Sequence, residues 1–206
     1  MIRALNLVAL LCALVFFSSI FVAHVLKPDL DWVSQTLSMY ALDDYGYVIN
    51  TGFICIGLTQ ILLATALFIG KPFDVTKAAG LLLGAGLGVL LVAIFPTKAH
   101  PADLVSQLPH IIGAIMQFLL FPFAALAIAR AMNAGRFKSY SLVTAYATMK
   151  LFIVILVLFF IKFTIDIPFF GLVEKIDILA INLWLIGFAF YTLRHKTGTL
   201  YLAANT

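Results

Sequence analysis

Charge is what this chain has least of: Asp, Glu, Lys and Arg make up 11% of its 206 residues. A water-facing domain of that size keeps roughly 30% of its unfolded chain's surface exposed, and so little charge cannot cover it. Hydrophobic residues reach 64%, against about 45–50% in soluble domains, so the bilayer must act as solvent for much of the chain. Cysteine is nearly absent. Cys12 and Cys55 both lie inside apolar runs, which makes them packing residues and not a disulfide framework or a metal pair. The net charge is +4, but no run of Lys or Arg forms a stripe, which argues against a nucleic-acid partner. No soluble domain, linker, low-complexity tract or internal repeat is evident. The first apolar stretch, about Ala4 to Val25, exceeds a signal core of ~7–15 residues and is followed by no small-x-small cleavage site. It reads as a retained membrane helix.

What remains is apolar sequence in six segments, approximately 4–26, 47–70, 77–96, 109–132, 141–163 and 172–193. Each is long enough for a ~30 Å hydrocarbon core, which takes ~20 helical residues. Short connectors make the helices antiparallel neighbours. The expected fold is all-α: a polytopic membrane protein, one compact six-helix bundle over residues 1–206. Orientation follows from Lys and Arg. With the N-terminus cytoplasmic, Arg3, Lys71, Lys77, Arg130, Arg136, Lys138, Arg194 and Lys196 fall inside, and Lys27, Lys98, Lys162 and Lys175 outside. Both termini are therefore expected in the cytoplasm. Lys150 is ambiguous: it lies mid-membrane, where it would count as functional, or a sliding helix boundary brings it to the inner interface.

The acids, which did not set this topology, gather on one side. Eight of nine (Asp29, Asp31, Asp43, Asp44, Asp103, Asp166, Glu174 and Asp177) lie at outer ends, as do His24, His100 and His110 among four histidines. Solvated loops would explain this, and so would a polar site at the outer surface. The first outer connector, "KPDLDWVSQTLSMYALDDYG", read as a helix, puts Asp31, Ser34, Gln35 and Ser38 on one face and Val33, Leu37 and Tyr40 on the other. It would lie in the interface and plug the bundle, or turn its polar face over the mouth. The second, "FPTKAHPADLVSQLPH", aligns Asp103, Gln107 and His110 at i, i+4 and i+7 if the helix bends at Pro109, and Gln117 continues that face inward.

Histidine beside carboxylate supports a metal site, acid–base chemistry or a proton-linked site. The residues assigned to catalysis are His110, Asp103, Asp31, Ser34 and Ser38. Those assigned to ligand binding are His100, Gln107, Gln117, Asn50, Glu174 and Asp177. A divalent metal would take His100, His110 and Asp103, although no spacing matches a motif such as HExxH. A serine hydrolase lacks a nucleophile-elbow sequence, and axial haem ligation would fall to His24 and His110. Within the membrane, Gly80, Gly84 and Gly88 make a small-residue face for close helix approach, or for a homo- or hetero-oligomer. Asn50, Thr51, Thr59, Gln60 and Asn182 read as interhelical hydrogen bonders. Lys175 pairs with an outer acid such as Asp166, or snorkels.

The polar connector before "YGYVINTGFICIGL" and the stretch "FPTKAHPADLVSQLPHIIGAIMQFLLFP" resemble the bacterial membrane family catalogued as domain of unknown function 998. That resemblance implies a bacterial plasma-membrane location and no established activity. The layout is distantly similar to Frag/DRAM/Sfk six-helix proteins, some associated with lipid remodelling, and departs from the serine, aspartate and three-histidine pattern of ceramidase-like hydrolases. The leading expectation is an outer site that binds, or binds and modifies, a membrane lipid or small molecule. A non-catalytic subunit or assembly factor of a larger complex, and a small transporter or haem-binding protein, stand as alternatives.

Overall fold

A computed structural model of the chain describes residues 1–70, 75–98, 104–161, 164–165 and 167–195. Six long helices account for most of them: α1 (Ile2–Leu26), α2 (Gly46–Gly70), α3 (Thr76–Ile94), α4 (Leu104–Ala131), α5 (Arg136–Ile161) and α6 (Phe170–Arg194), with a short 3₁₀ helix at Leu37–Ala41 between the first two. No strand occurs among the described residues. All six are long and apolar enough to cross a membrane, and large apolar side chains such as Leu11, Phe21, Val143, Ile153 and Phe160 point outward. That surface suits hydrocarbon, where a helix satisfies its own backbone. The chain is an integral membrane protein.

Each helix packs on its neighbour in sequence, and α6 returns to α1, so the six form a closed ring. α5 is the most peripheral, with 22% of its apolar window buried. Small residues set the tightest crossing. A Cβ on Gly88 would sit 2.6 Å from the Gly113 carbonyl oxygen, so α3 and α4 touch backbone to backbone. Gly84 faces the tip of the Leu120 side chain on α4, while Gly80 has open space around it. Most of the glycine face offered to another protomer is thus taken up inside this chain.

Two expectations about the connectors change. The first is not an α-helix. The Asp31 carboxylate accepts hydrogen bonds from the backbone N–H of Val33 (3.2 Å) and Ser34 (3.1 Å), which closes a local turn and competes with helix formation. The polar face expected of a helix therefore does not exist. Helix α4 begins at Leu104 instead of 109 and runs through Pro109. A proline in the second turn costs one backbone bond, which a membrane helix can absorb. α3 ends at Ile94, as Phe95 precedes Pro96 and is pushed out of helical geometry.

The bundle end that carries residues 27–45 is called the cap end below. Trp184 Nε1 donates to Ser141 Oγ at 2.9 Å, which fixes the register of α5 on α6. Nine residues toward the cap end, forward along α5 and back along α6, stand Lys150 and Lys175, about 13 Å from that bond along each axis. Lys150 is exposed and stands near the middle of α5 (Arg136–Ile161), in keeping with the mid-membrane alternative and not with the inner interface.

Candidate functional site

The first connector folds into a cap seated on the start of α6. The backbone N–H of Gly171 donates to the Ser34 carbonyl (3.2 Å) and that of Leu172 to Val33 (2.7 Å), so helix-end amides that lack intrahelical partners are satisfied by the connector. Lys175, 5% exposed, donates from Nζ to the carbonyls of Trp32 (3.0 Å) and Gln35. This ammonium holds the cap by its backbone carbonyls. Asp166 lies outside the described residues. Glu174 Oε2 accepts the Leu37 N–H at 2.8 Å. Gly171 must be glycine here, because a Cβ would collide with the Gln35 backbone. Leu37 and Tyr40, both fully buried, fill the top of the ring. Tyr40 donates to the Leu30 carbonyl at 3.1 Å and packs its ring 4.5 Å from that of His24.

Below the cap lies a small cavity of about 50 Å³, room for a few waters and below the ~300–1,000 Å³ usual for ligand sites. Its polar lining is Ser38, His110, Gln117 and Glu174; its walls are Phe16, Phe53, Ile56, Val89, Val92, Ala114, Phe118, Ile178 and Ile181. From His110 to Gln117 is two turns of α4, about 10 Å. Ser38 Oγ is 3.1 Å from Thr36 Oγ1. His110 Nδ1 lies 2.9 Å from the Phe95 carbonyl oxygen. A carbonyl only accepts, so Nδ1 carries the hydrogen. At the floor, Gln60 Nε2 donates to Gln117 Oε1 at 2.9 Å, one of the interhelical bonds expected of the buried amides.

Four of the sequence-derived residues thus meet: Ser38, His110, Gln117 and Glu174. The others stand elsewhere. Asp31 is exposed in its own turn, where bonds from the Ser34 hydroxyl and the Val33 and Ser34 amides hold its carboxyl below the usual carboxylate range. Ser34 stays with it, away from the cavity. Tyr40 has its hydroxyl pushed above the ordinary range by burial and by the Asp31 charge. Gln107 lies 3.4 Å from Thr97 Oγ1. Asn50 is half-buried and does not line the cavity. His100 and Asp103 lie outside the described residues.

Asp177 parts from Glu174 despite sharing a helix turn. It is fully buried, and neither carboxylate oxygen finds a hydrogen bond among the described residues. The Trp184–Ser141 register puts it level with buried Thr148 on α5. Asn182, expected to bond between helices, likewise has both side-chain polar atoms buried without a partner.

The chemistry open to this arrangement is recognition first. His110 is oriented by a carbonyl and not by a carboxylate, so the described residues do not assemble the serine, histidine and acid relay. Among them, no three of His, Cys, Asp and Glu form a group able to hold a metal. His24 is tied by Nδ1 to the Ile20 carbonyl at 2.6 Å and does not line the cavity, so the two histidines named for haem ligation hold separate places. Sequence reasoning missed the apolar walls and the role of Lys175. The walls give no signal in an apolar chain, and the lysine's partners lie 140 and 143 residues away.

No curated protein and no solved structure matches the chain. A family model described as "Protein of unknown function (DUF998)" matches residues 10–191, covering most of the length and every residue that lines the cavity, and the chain belongs to that family.

Proposed function

We propose that the protein binds an amphiphilic ligand, a lipid or lipid-like small molecule, at the cavity beneath its cap, which widens from about 50 Å³ to admit it. The observation that carries this reading is the division of the lining. Apolar walls drawn from five helices surround a short polar set, Ser38, His110 and Glu174 at the mouth and Gln117 at the floor, the pattern of sites that hold an apolar body and orient it by a few polar atoms. The cap end carries Asp29, Asp31, Asp43 and Asp44 in its connector, and the opposite helix ends carry Arg3, Lys77, Arg130, Arg136, Lys138 and Arg194. By the positive-inside rule the cap end faces outward from the cytoplasm, and the ligand enters from the outer leaflet or the outer aqueous side. Binding is the function assigned; modification of the ligand would need an acid–base partner for His110 beyond those described.

Filling the cavity tests this directly. Ala114 lines it and is half-buried, so Ala114→Phe puts a ring into empty space without touching the cap. The parent protein, extracted in mild detergent, should retain a lipid-like species at near one-to-one stoichiometry by native mass spectrometry, and the variant should lose it while melting as one folded species. Equal retention by both proteins refutes the reading.

A further inference from the structure

We propose that the outward face of α5 is a docking surface for a membrane-spanning helix of another protein, one that carries a carboxylate at mid-membrane to pair with Lys150. The inference stands apart from the cavity reading above. Its first support is depth. Lys150 is exposed on α5, the helix least covered by the rest of the bundle. An unbroken apolar run, Leu151 to Ile161, follows it to the cap end of the helix, about 16 Å away. Arg136 opens the helix at the other end, about 21 Å away. A four-carbon stem spans neither distance, so the ammonium does not reach the interface as lysines near helix ends do. Phosphate head groups at either surface are out of its reach for the same reason.

The second support is that the chain itself supplies no partner. Lys150 makes no hydrogen bond or ion pair among the described residues, and a charged side chain at such depth ordinarily pairs with another. Around it lies a continuous apolar strip: Val143, Tyr146, Ile153, Val157 and Phe160 are each half or more exposed. With Lys150 they recur three and four residues apart, the seam along which a second helix packs, and a single lysine in such a seam specifies register and partner while lowering stability. Ala147, beside Lys150 and also exposed, leaves room for close approach. A second copy of this chain does not fit. Symmetric pairing would set like charges face to face. The acids in the described helices are Glu174 and Asp177, both in α6 and neither exposed. The complementary occupant is a different chain with Asp or Glu inside an apolar span.

Synthetic membrane helices of ~20 Leu and Ala residues, with Glu, Leu or Lys at the centre, test this. Each is reconstituted with the full chain in zwitterionic bilayers at neutral pH, and association is read by energy transfer between dyes on peptide and protein. The Glu helix should associate about tenfold more tightly than the Leu helix, and the Lys helix no better than the Leu helix. Lys150→Leu puts an apolar side chain at a lipid-facing position, leaves the bundle folded, and should erase the Glu preference. Lys150→Glu should transfer that preference to the Lys helix. Equal association of the Glu and Leu helices with the parent, or a Glu preference that persists in Lys150→Leu, overturns the proposal. Self-association of the parent that is lost in Lys150→Leu overturns it as well, because a second copy would then occupy the face.

Discussion

Replacing Lys175 by Met separates the cap from the helix that holds it. Methionine matches the lysine stem closely and packs flexibly, so the loss falls on the ammonium. That group is 5% exposed and donates to two carbonyls of the connector, Trp32 at 3.0 Å and Gln35 more closely still. A hydrogen bond from a charged donor contributes roughly 1.5–3 kcal/mol net, and a carbonyl left buried without a partner costs about 1–3 kcal/mol. Taking about 3 kcal/mol for the whole change, the equilibrium for lifting the cap shifts by about a hundredfold, since each 1.4 kcal/mol is a factor of ten. Global melting is a poor readout, because removing a buried ammonium also removes its desolvation cost. Hydrogen exchange reads the local opening instead. The Leu37 amide, bonded to Glu174 Oε2, and the Gly171 and Leu172 amides, bonded to the connector carbonyls, should each lose about a hundredfold in protection. Buried Leu82 in α3 should be unchanged. Protection at Leu37 within about threefold of the parent's would show that Lys175 does not hold the cap.

Two further substitutions probe the bundle. Gly113→Ala puts a Cβ 2.9 Å from the Leu91 Cβ and 3.1 Å from the Val92 nitrogen and should cost about 1–3 kcal/mol by forcing α3 and α4 apart; Gly80→Ala meets nothing within 4 Å and should change stability by less than about 0.5 kcal/mol. Thermal unfolding of the pair checks this, and equal melting of the two would show the crossing is not tight. Asp177→Leu removes a fully buried carboxyl that has no hydrogen-bond partner among the described residues and should stabilise the fold by about 1–3 kcal/mol. A lower melting temperature would mean that the carboxyl is paired in the working protein.

The six helices were legible because hydrocarbon asks little of a sequence beyond length and apolarity; most ends moved by two residues or fewer, and the starts of α4 and α5 by five each. Pro109 was the exception. It reads as a helix start in water, yet within a bundle α4 continues through it to Leu104. The first connector misled for a different reason. Leu37 and Tyr40 are three apart, which suits a 3₁₀ turn as well as an α-helix, and the deciding contacts come from Gly171, Glu174 and Lys175 at the far end of the chain. The plug was expected; its shape was not. Of the proposed site, His110, Gln117, Ser38 and Glu174 stood out as polar groups in apolar text. Asp31 and Ser34 stood out equally and were spent on a local turn. No pattern within one segment separates a side chain that folds its own loop from one that faces a cavity, because the difference lies in what the other helices bring.

The seating of the cap on α6 also bears on how the chain is made. Every anchor of residues 32–37 named above lies at 171–175, so the connector emerges from the ribosome well over a hundred residues before its seat exists. Until the sixth helix inserts, the cap lacks its seat on α6, although Tyr40 already has His24 of α1 to pack against. Closure is thus the last act of biogenesis, and any cargo captured during synthesis would have to enter before it.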